Sequence, residues 1–258
     1  MSKSALVLAA HGSSSERCVN HQLEQHGVEL AKRGPFDEVV TAFHRGEPTF
    51  ATVLDGLSAD DVTVVPVMAS NGYFCDSVLP RELAKNQRYA NLSVHTTAPV
   101  GTHPRMASLV AGRVAHLLQT YNLAADATTL AIIGHGTKRH GRSRQAVDDL
   151  VRALSNGRLC AEVIAAFLDE APSVETIHDR AAGPNTVVVP FLIGGGVHAM
   201  QDVPNRLSLP TFDGASLPRT GSVRGRFIVY DAPIGSDPGI LEIIADLAGL
   251  NPFVKGSR

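Results

Sequence analysis

The feature that most constrains this chain is an internal repeat with a spacing of 124 residues. His11-Gly12 returns as His135-Gly136, and Val64-Val65-Pro66 returns as Val188-Val189-Pro190. Further pairs at the same spacing are Phe43 with Phe167, Pro48 with Pro172, Gly72 with Gly196, Pro80 with Pro204 and Leu83 with Leu207. So long a period is typical of a duplicated folded unit and excludes a solenoid, whose repeats span about 20–50 residues. The chain therefore predicts two similar halves.

The repeat also predicts where one half ends. Ala98-Pro99-Val100-Gly101 matches Ala232-Pro233-Ile234-Gly235 at a spacing of 134, so ten residues are inserted ahead of Ala232 in the second half. We place the boundary in the polar segment 121–128, which gives an N-terminal half of residues 1–124 and a C-terminal half of residues 125–258. The inserted stretch, 209–224, contains proline and glycine without periodicity and is predicted to be a surface loop.

Short apolar segments alternate with helical segments in both halves. The predicted strands are 5–10, 38–43, 62–67 and 92–95, then 130–133, 162–167, 186–191 and 227–230. The predicted helices of the first half are 16–32, 48–57, 78–87 and 106–120. Continuous apolar strands separated by helices are typical of a parallel sheet covered on both faces. We predict an α/β fold with two similar doubly wound halves, each containing a four-stranded parallel sheet.

The amino-acid composition argues against several classes of function. The 258 residues are 44% hydrophobic and 19% charged, with a net charge of −2, which argues against broad nucleic-acid or membrane-surface binding. The apolar run 5–10 is too short for a signal-peptide core or a membrane span. Three widely spaced cysteines without a CxxC pair indicate neither a disulfide framework nor a structural zinc site. We expect a cytoplasmic protein without nucleic-acid or membrane partners, and the sequence leaves its oligomeric state open.

Two histidines of the second half are predicted to meet at one edge of its sheet. His135 directly follows the first strand, and His198 follows the third strand in a glycine-rich segment, 194–202. First and third strands are neighbours in a doubly wound half, and ligands bind beyond the carboxyl ends of such strands. Two imidazoles there suit a divalent cation such as cobalt, nickel, iron or zinc. The alternative is that His198 is a surface residue and the glycines form a helix-entry turn or a phosphate cradle.

Charged residues follow the neighbouring strand ends. Glu170 comes after the second strand of the second half, where a carboxylate can ligate a metal, accept a proton or merely favour a helix start. A basic cluster follows His135 and contains Lys138, Arg139, Arg142 and Arg144. Cations disfavour a helix N-terminus, so an anionic ligand would explain this cluster, and solvated surface residues are the alternative.

Several motifs, in order, resemble the long, two-repeat form of the CbiX-type sirohydrochlorin cobaltochelatases. They are Ala10-His11-Gly12-Ser13, Gly72-Tyr73-Phe74, Gly134-His135-Gly136-Thr137, Phe167-Leu168-Asp169-Glu170, and Gly196-Val197-His198 with Asp202-Val203-Pro204. The resemblance covers nearly the whole chain. It implies a chelatase of the lyase class that inserts a divalent metal into the tetrapyrrole sirohydrochlorin without a nucleotide. Co²⁺, for cobalamin biosynthesis, is the expected metal, and Fe²⁺ or Ni²⁺ are the alternatives.

The resemblance implies the roles of two histidines, and the chemistry of metal insertion into a carboxylate-bearing tetrapyrrole suggests those of the other residues. His135 and His198 match the working pair of the family and are expected to hold the metal or accept a proton. Glu170 is expected to assist as a ligand or proton acceptor, and His11 to line the opposite wall. The residues expected to contact the tetrapyrrole and its carboxylates are Lys138, Arg139, Arg142, Arg144, Gly195 and Gly196.

One departure from symmetry indicates how many complete sites the chain has. Phe74 stands where His198 stands in the other half, so we expect one complete site, in the second half. A metal or tetrapyrrole carrier without catalytic activity is the competing hypothesis. Such a carrier would bind cobalt or sirohydrochlorin and show no turnover.

Overall fold

The computed structural model of the protein describes residues 3–13, 17–137, 141–209 and 217–250. The strands are β1 Ser4–Ala10, β2 Glu38–Phe43, β3 Asp61–Pro66, β4 Ser93–Thr96, β5 Thr128–Gly134, β6 Glu162–Phe167, β7 Asn185–Pro190, β8 Arg219–Val223 and β9 Arg226–Tyr230. The α-helices are α1 Arg17–Ala31, α2 Leu79–Leu83, α3 Met106–Thr120, α4 Gly141–Asn156, α5 Ile177–Arg180, α6 Val203–Arg206 and α7 Gly239–Leu247. Alternation of strands and helices confirms the predicted α/β class.

The first sheet has four strands in the order β2-β1-β3-β4, and all three pairings are parallel. Its central strand β1 is buried along most of its length because both faces of the sheet are covered. Phe50, Leu54, Leu79 and Leu83 pack on this sheet together with alternate residues of its strands. The result is the doubly wound half that the apolar runs predicted.

The second sheet has five strands in the order β6-β5-β7-β9-β8. The pairings among β5, β6, β7 and β9 are parallel, and β8 pairs antiparallel with β9. Every residue of β5 is buried, in agreement with a central parallel strand. The four parallel strands follow the same order as those of the first sheet, so the repeat in the sequence corresponds to a repeated sheet topology.

The prediction of a surface loop at 209–224 is wrong at residues 219–223, which form β8 as a fifth strand. Arg224 and Gly225 have φ of 50° and 76° and join β8 to β9 as a two-residue hairpin. Positive φ at both turn positions is typical of the tight hairpins that match the strand twist. Arginine rarely adopts a positive φ, so a hairpin turn is difficult to predict from the sequence Arg224-Gly225. Residues 210–216 of the predicted loop lie outside the described residues.

Two predicted helices are also shorter than expected. Residues 48–57 form only a 3₁₀ turn at Val53–Gly56, because the side chains of Thr49 and Thr52 hydrogen-bond the local backbone in competition with a helix. Residues 78–87 contribute α2, which continues directly from a π-helical turn at Phe74–Val78. The equivalent π-helical turn of the second repeat, His198–Asp202, leads into α6.

The described residues form two compact units: residues up to 103 together with those from 238 onward, and residues 104–237. In the second unit α3 contacts α4, and in the first unit α7 contacts α1. The last helix of each repeat therefore belongs to a different compact unit from the rest of that repeat. We base the division at 124/125 on the duplication, whereas the compact units follow the packing of these helices.

Candidate functional site

His135 is placed by a tight turn at the end of β5. Gly136 has a φ of +72°, and a Cβ atom there would lie 2.8 Å from Glu170 Cγ, so only glycine fits without displacement. The carbonyl oxygen of His135 accepts hydrogen bonds from the backbone N–H groups of Leu168 and Asp169, at 3.1 and 3.0 Å. These bonds tie the turn to the end of β6 and leave the imidazole at the carboxyl edge of the sheet.

His198 reaches the same edge from the loop after β7. It begins the π-helical turn His198–Asp202, a rare backbone form that is frequent at functional sites. The ring centroids of His135 and His198 lie 4.8 Å apart, with an angle of 78° between the ring planes. The two rings thus lie together as the sequence predicted, and their roles as metal ligands or bases stay a prediction.

Each imidazole has a carboxylate beside its Nδ1 atom. His135 Nδ1 lies 3.2 Å from Asp169 Oδ2 and 3.2 Å from the carbonyl oxygen of Gly136. His198 Nδ1 lies 2.6 Å from Asp202 Oδ2. Among the residues that the structure describes, no hydrogen bond occupies the Nε2 atom of either ring. This arrangement resembles metal-binding histidines, whose second nitrogen usually contacts a carboxylate or a carbonyl.

Glu170, predicted to assist the histidines, lies in a different environment. Its Oε1 accepts a hydrogen bond from the Thr137 backbone N–H at 3.1 Å, and its Oε2 lies 3.6 Å from Arg144 Nη1. Its side chain is only 16% exposed. Glu170 therefore holds the loop that follows His135, while its neighbour Asp169 is the carboxylate in contact with the imidazole. The predicted role of Glu170 as ligand or proton acceptor stays a prediction.

The basic cluster is described only in part. Arg144 Nη1 donates a hydrogen bond to the Ala171 carbonyl at 2.6 Å, its Nε lies 3.2 Å from Asp148 Oδ2, and its guanidinium stands 5.1 Å from the Phe167 ring centroid. Arg144 thus joins the start of α4 to the loop after β6. Arg142 lies at the start of α4, and Lys138 and Arg139 lie outside the described residues.

The predicted glycines form the entry to the π-helical turn. The carbonyl oxygen of Gly196 accepts hydrogen bonds from the backbone N–H groups of Ala199 and Met200, at 3.0 and 3.1 Å. A Cβ atom at Gly195 would be 3.9 Å from Pro233 Cγ, an ordinary contact distance. These bonds support a structural role for Gly196, and contact of either glycine with a ligand stays a prediction.

The equivalent edge of the first sheet has different side chains. The ring of Phe74 packs against the imidazoles of His11 and His44, at centroid distances of 4.6 and 5.0 Å. At the repeat spacing, Arg45 replaces Asp169 and Val78 replaces Asp202. The first repeat therefore lacks one imidazole of the pair and both Nδ1 carboxylates. This difference supports the expectation of one complete site.

Cys75 follows Phe74, and its thiol is a potential soft metal ligand. Burial raises the pKa of the Cys75 thiol to about 12, and its Sγ atom contacts Met68 Sδ at 3.2 Å. A thiol must lose its proton to bind a metal, so Cys75 packs as a small apolar residue.

In the described residues, the imidazole pair does not belong to a larger cluster of metal-binding side chains. Residues 3–13, 17–137, 141–209 and 217–250 contain no group of three or more His, Cys, Asp or Glu side chains placed to hold a metal ion together. In the same part of the chain, no helix combines the length and apolar character that crossing a bilayer requires. The imidazole pair with its two carboxylates is the arrangement on which we base the function.

Comparison with known proteins shows a match to the CbiX family. The model of the CbiX family matches residues 5–117 and again residues 129–249. A relative from Halobacterium salinarum, named probable sirohydrochlorin cobaltochelatase, is 30% identical over 264 residues, which cover 95% of this chain and 90% of the relative.

Two solved structures share the fold at lower identity. A CbiX protein described as the terminal enzyme for biosynthesis of siroheme in denitrifying bacteria has a TM-score of 0.72 and 21% identity, covering 96% of this chain and 98% of its own. SirB from Bacillus subtilis with Fe³⁺ has a TM-score of 0.73 and 18% identity, covering 96% and 94%. Since the family model matches both repeats and together these matches span most of the sequence, this chain belongs to the CbiX family.

Proposed function

We propose that this protein inserts a divalent metal ion, Co²⁺ foremost, into sirohydrochlorin without using a nucleotide. The observation that carries the proposal is the pair of imidazoles, His135 and His198, which two separate loops bring to a centroid distance of 4.8 Å. The cobaltochelatase name of the Halobacterium relative, 30% identical over 95% of this chain, favours cobalt. Fe²⁺ and Ni²⁺ are the alternative metal substrates of the same reaction.

Metal insertion needs a cation that is held firmly enough to be delivered and loosely enough to leave. Two imidazole Nε2 atoms supply two ligands of the type that cobalt, nickel and iron accept. The remaining coordination positions stay open for the pyrrole nitrogens, as in catalytic sites that keep a position for substrate. An imidazole pair therefore suits a metal in transit from solvent to the macrocycle.

Insertion also releases two pyrrole N–H protons as the nitrogen–metal bonds form. A neutral imidazole accepts a proton near neutral pH, so Nε2 of either histidine is a suitable acceptor once the metal has moved to the ring. Asp169 Oδ2, 3.2 Å from His135 Nδ1, would stabilise the imidazolium that results. We propose Glu170, which accepts a hydrogen bond from the Thr137 backbone N–H, as the assisting carboxylate that acts as a ligand or proton acceptor.

The carboxylates of sirohydrochlorin need cationic partners. We propose that Lys138, Arg139 and Arg142 contact them, because these residues follow His135 along the chain. Arg144 is bound to the Ala171 carbonyl and lies near Glu170, so its contribution is a positive field together with support of the loop. Contacts of the tetrapyrrole with His11, Gly195 and Gly196, and a cytoplasmic location, stay predictions.

The decisive experiment mixes purified protein with sirohydrochlorin and follows its absorbance after addition of Co²⁺, Ni²⁺ or Fe²⁺. We expect acceleration over the protein-free rate, fastest with Co²⁺, and a loss of about 100-fold or more in His135→Ala and His198→Ala, in the range that removal of a positioned acid–base group causes. His116→Ala, on the exposed surface of α3, is the matched control and should keep the wild-type rate.

Two outcomes would contradict the proposal. A His135→Ala variant with the wild-type rate would remove the imidazole pair from the mechanism. Binding of sirohydrochlorin or Co²⁺ without acceleration for any of the three metals would identify a carrier instead of an enzyme.

A further inference from the structure

We propose that Asp202 is a positioning residue, which fixes the tautomer and orientation of His198 so that Nε2 presents its lone pair to the metal. This inference rests on the proposed function. It begins with the 2.6 Å distance between His198 Nδ1 and Asp202 Oδ2, which is typical of strong, charge-assisted hydrogen bonds. An ionised carboxylate can only accept, so Nδ1 carries the hydrogen and a neutral ring has its acceptor at Nε2.

The surroundings of His198 explain why such a partner matters. The side chain of His198 is 57% exposed, and that of Asp202 is 38% exposed. A half-exposed imidazole is only partly held by packing, so without a hydrogen-bond partner its ring can rotate and its proton can move between the two nitrogens. Residues four apart face the same side of a helical turn, which brings the carboxylate to Nδ1. The bond to Asp202 removes these alternatives before the metal arrives.

The first repeat supplies an internal comparison. It keeps the π-helical turn, at Phe74–Val78, but the equivalent pair is phenylalanine and valine. Val78 is only 2% exposed, so the fold accepts an apolar residue at this place in the turn. The acid is present in the repeat that has the imidazole and absent from the repeat that lacks it. We therefore assign Asp202 to the chemistry of His198 instead of to the formation of the turn.

The first repeat also suggests which variants to make. Asp202→Val introduces the residue that the first repeat carries at the equivalent position, and Asp202→Asn keeps the shape of the side chain while removing its charge. Asp149→Asn is the matched control, because Asp149 is an exposed acid on α4 that pairs with Arg152 at 2.9 Å. Urea unfolding of each variant shows whether the second unit has retained its fold.

The first measurement reads the tautomer directly in metal-free protein. Long-range ¹H–¹⁵N correlation spectra are recorded at about pH 8.5, where an ordinary imidazole is neutral. His198→Ala identifies the signals of His198. We expect Nδ1–H in the wild type and in Asp149→Asn, and a substantial Nε2–H population in Asp202→Val. A purely structural role for Asp202 would leave this signature unchanged.

The second measurement titrates the same proteins with Co²⁺ alone and follows its visible absorption. We expect affinity for Co²⁺ to fall about 10- to 100-fold in both Asp202 variants, the usual effect of removing a carboxylate behind a metal-binding histidine. Wild-type His198 in the Nε2–H form would overturn the inference, and so would unchanged Co²⁺ affinity in both variants. Neither measurement uses sirohydrochlorin, so a wild-type protein that fails to insert metal refutes the proposed function without affecting this test.

Discussion

Replacing Gly235 by alanine should damage both the stability of the second unit and its metal site. A Cβ atom at Gly235 would lie 1.8 Å from the carbonyl oxygen of Ile193 and 2.5 Å from its carbonyl carbon. A Cβ atom essentially never comes within 3.0 Å of a heavy atom outside its own residue and its two chain neighbours, so the two segments must separate by more than about 1 Å. The obstacle is backbone, which cannot rotate away as a side chain can.

The expected magnitude follows from two contributions. Overpacking a tight interior site costs about 1–3 kcal/mol, and an immovable backbone places this site at the upper end. Separation also weakens the hydrogen bond from the Gly235 N–H to the Leu192 carbonyl, now 3.1 Å, for about 1 kcal/mol more. We expect a loss of about 3–4 kcal/mol in the free energy of unfolding. Ile193 lies in the loop that leads to His198, so a shift of about 1 Å should also reduce metal insertion about 100-fold.

Urea unfolding followed by far-ultraviolet circular dichroism measures the first effect, and the sirohydrochlorin assay measures the second. Gly112→Ala is the control, because a Cβ atom at Gly112, inside α3, would have no other atom within 4 Å. Alanine is a better helix former than glycine, so this change should raise the free energy of unfolding by up to about 1 kcal/mol. Gly101→Ala makes the same kind of clash in the first unit, with the Ala69 carbonyl oxygen at 2.1 Å. It should lower stability with less effect on metal insertion. A Gly235→Ala protein within about 1 kcal/mol of the wild type would refute the reasoning.

Two further predictions concern charge inside the fold. Arg113→Met should destabilise the second unit by about 3–5 kcal/mol in urea unfolding, because Asp231, whose side chain is 6% exposed, loses the guanidinium that lies 2.6 Å away. Adding Asp231→Asn should recover part of that loss, and no recovery would contradict the explanation. Burial lowers the pKa of His26, whose Nε2 has no hydrogen-bond partner in the part of the chain that the structure describes. The unfolded chain therefore takes up a proton below about pH 6.5, whereas the folded chain does so only at lower pH. Stability is therefore retained above that pH and lost as pH falls. His26→Leu should flatten the decline of the urea midpoint between about pH 7.5 and pH 5.5, and an equally steep decline would exclude His26 as its source.

Part of the candidate site was predictable because its signals are local. His135 and His198 each follow a buried strand of a repeated unit, and parallel strands end at one edge of their sheet. Asp202 could have been found in the same way, since it lies four residues after His198 in one helical turn. Asp169 could not be distinguished from Glu170, because the backbone at the end of β6 decides which of two adjacent side chains faces the imidazole.

Residue order alone was enough to establish the duplication, the α/β class, the parallel arrangement of four strands in each sheet and the half that holds the imidazole pair. These properties follow from periodicity and from the identity of residues at equivalent positions, which need no knowledge of distant contacts. The packing of α3 in the second unit and of α7 in the first became apparent only from the folded chain. An apolar stripe on a helix shows that it is buried, but many surfaces can bury it equally well, so its partner is fixed only when the whole chain packs.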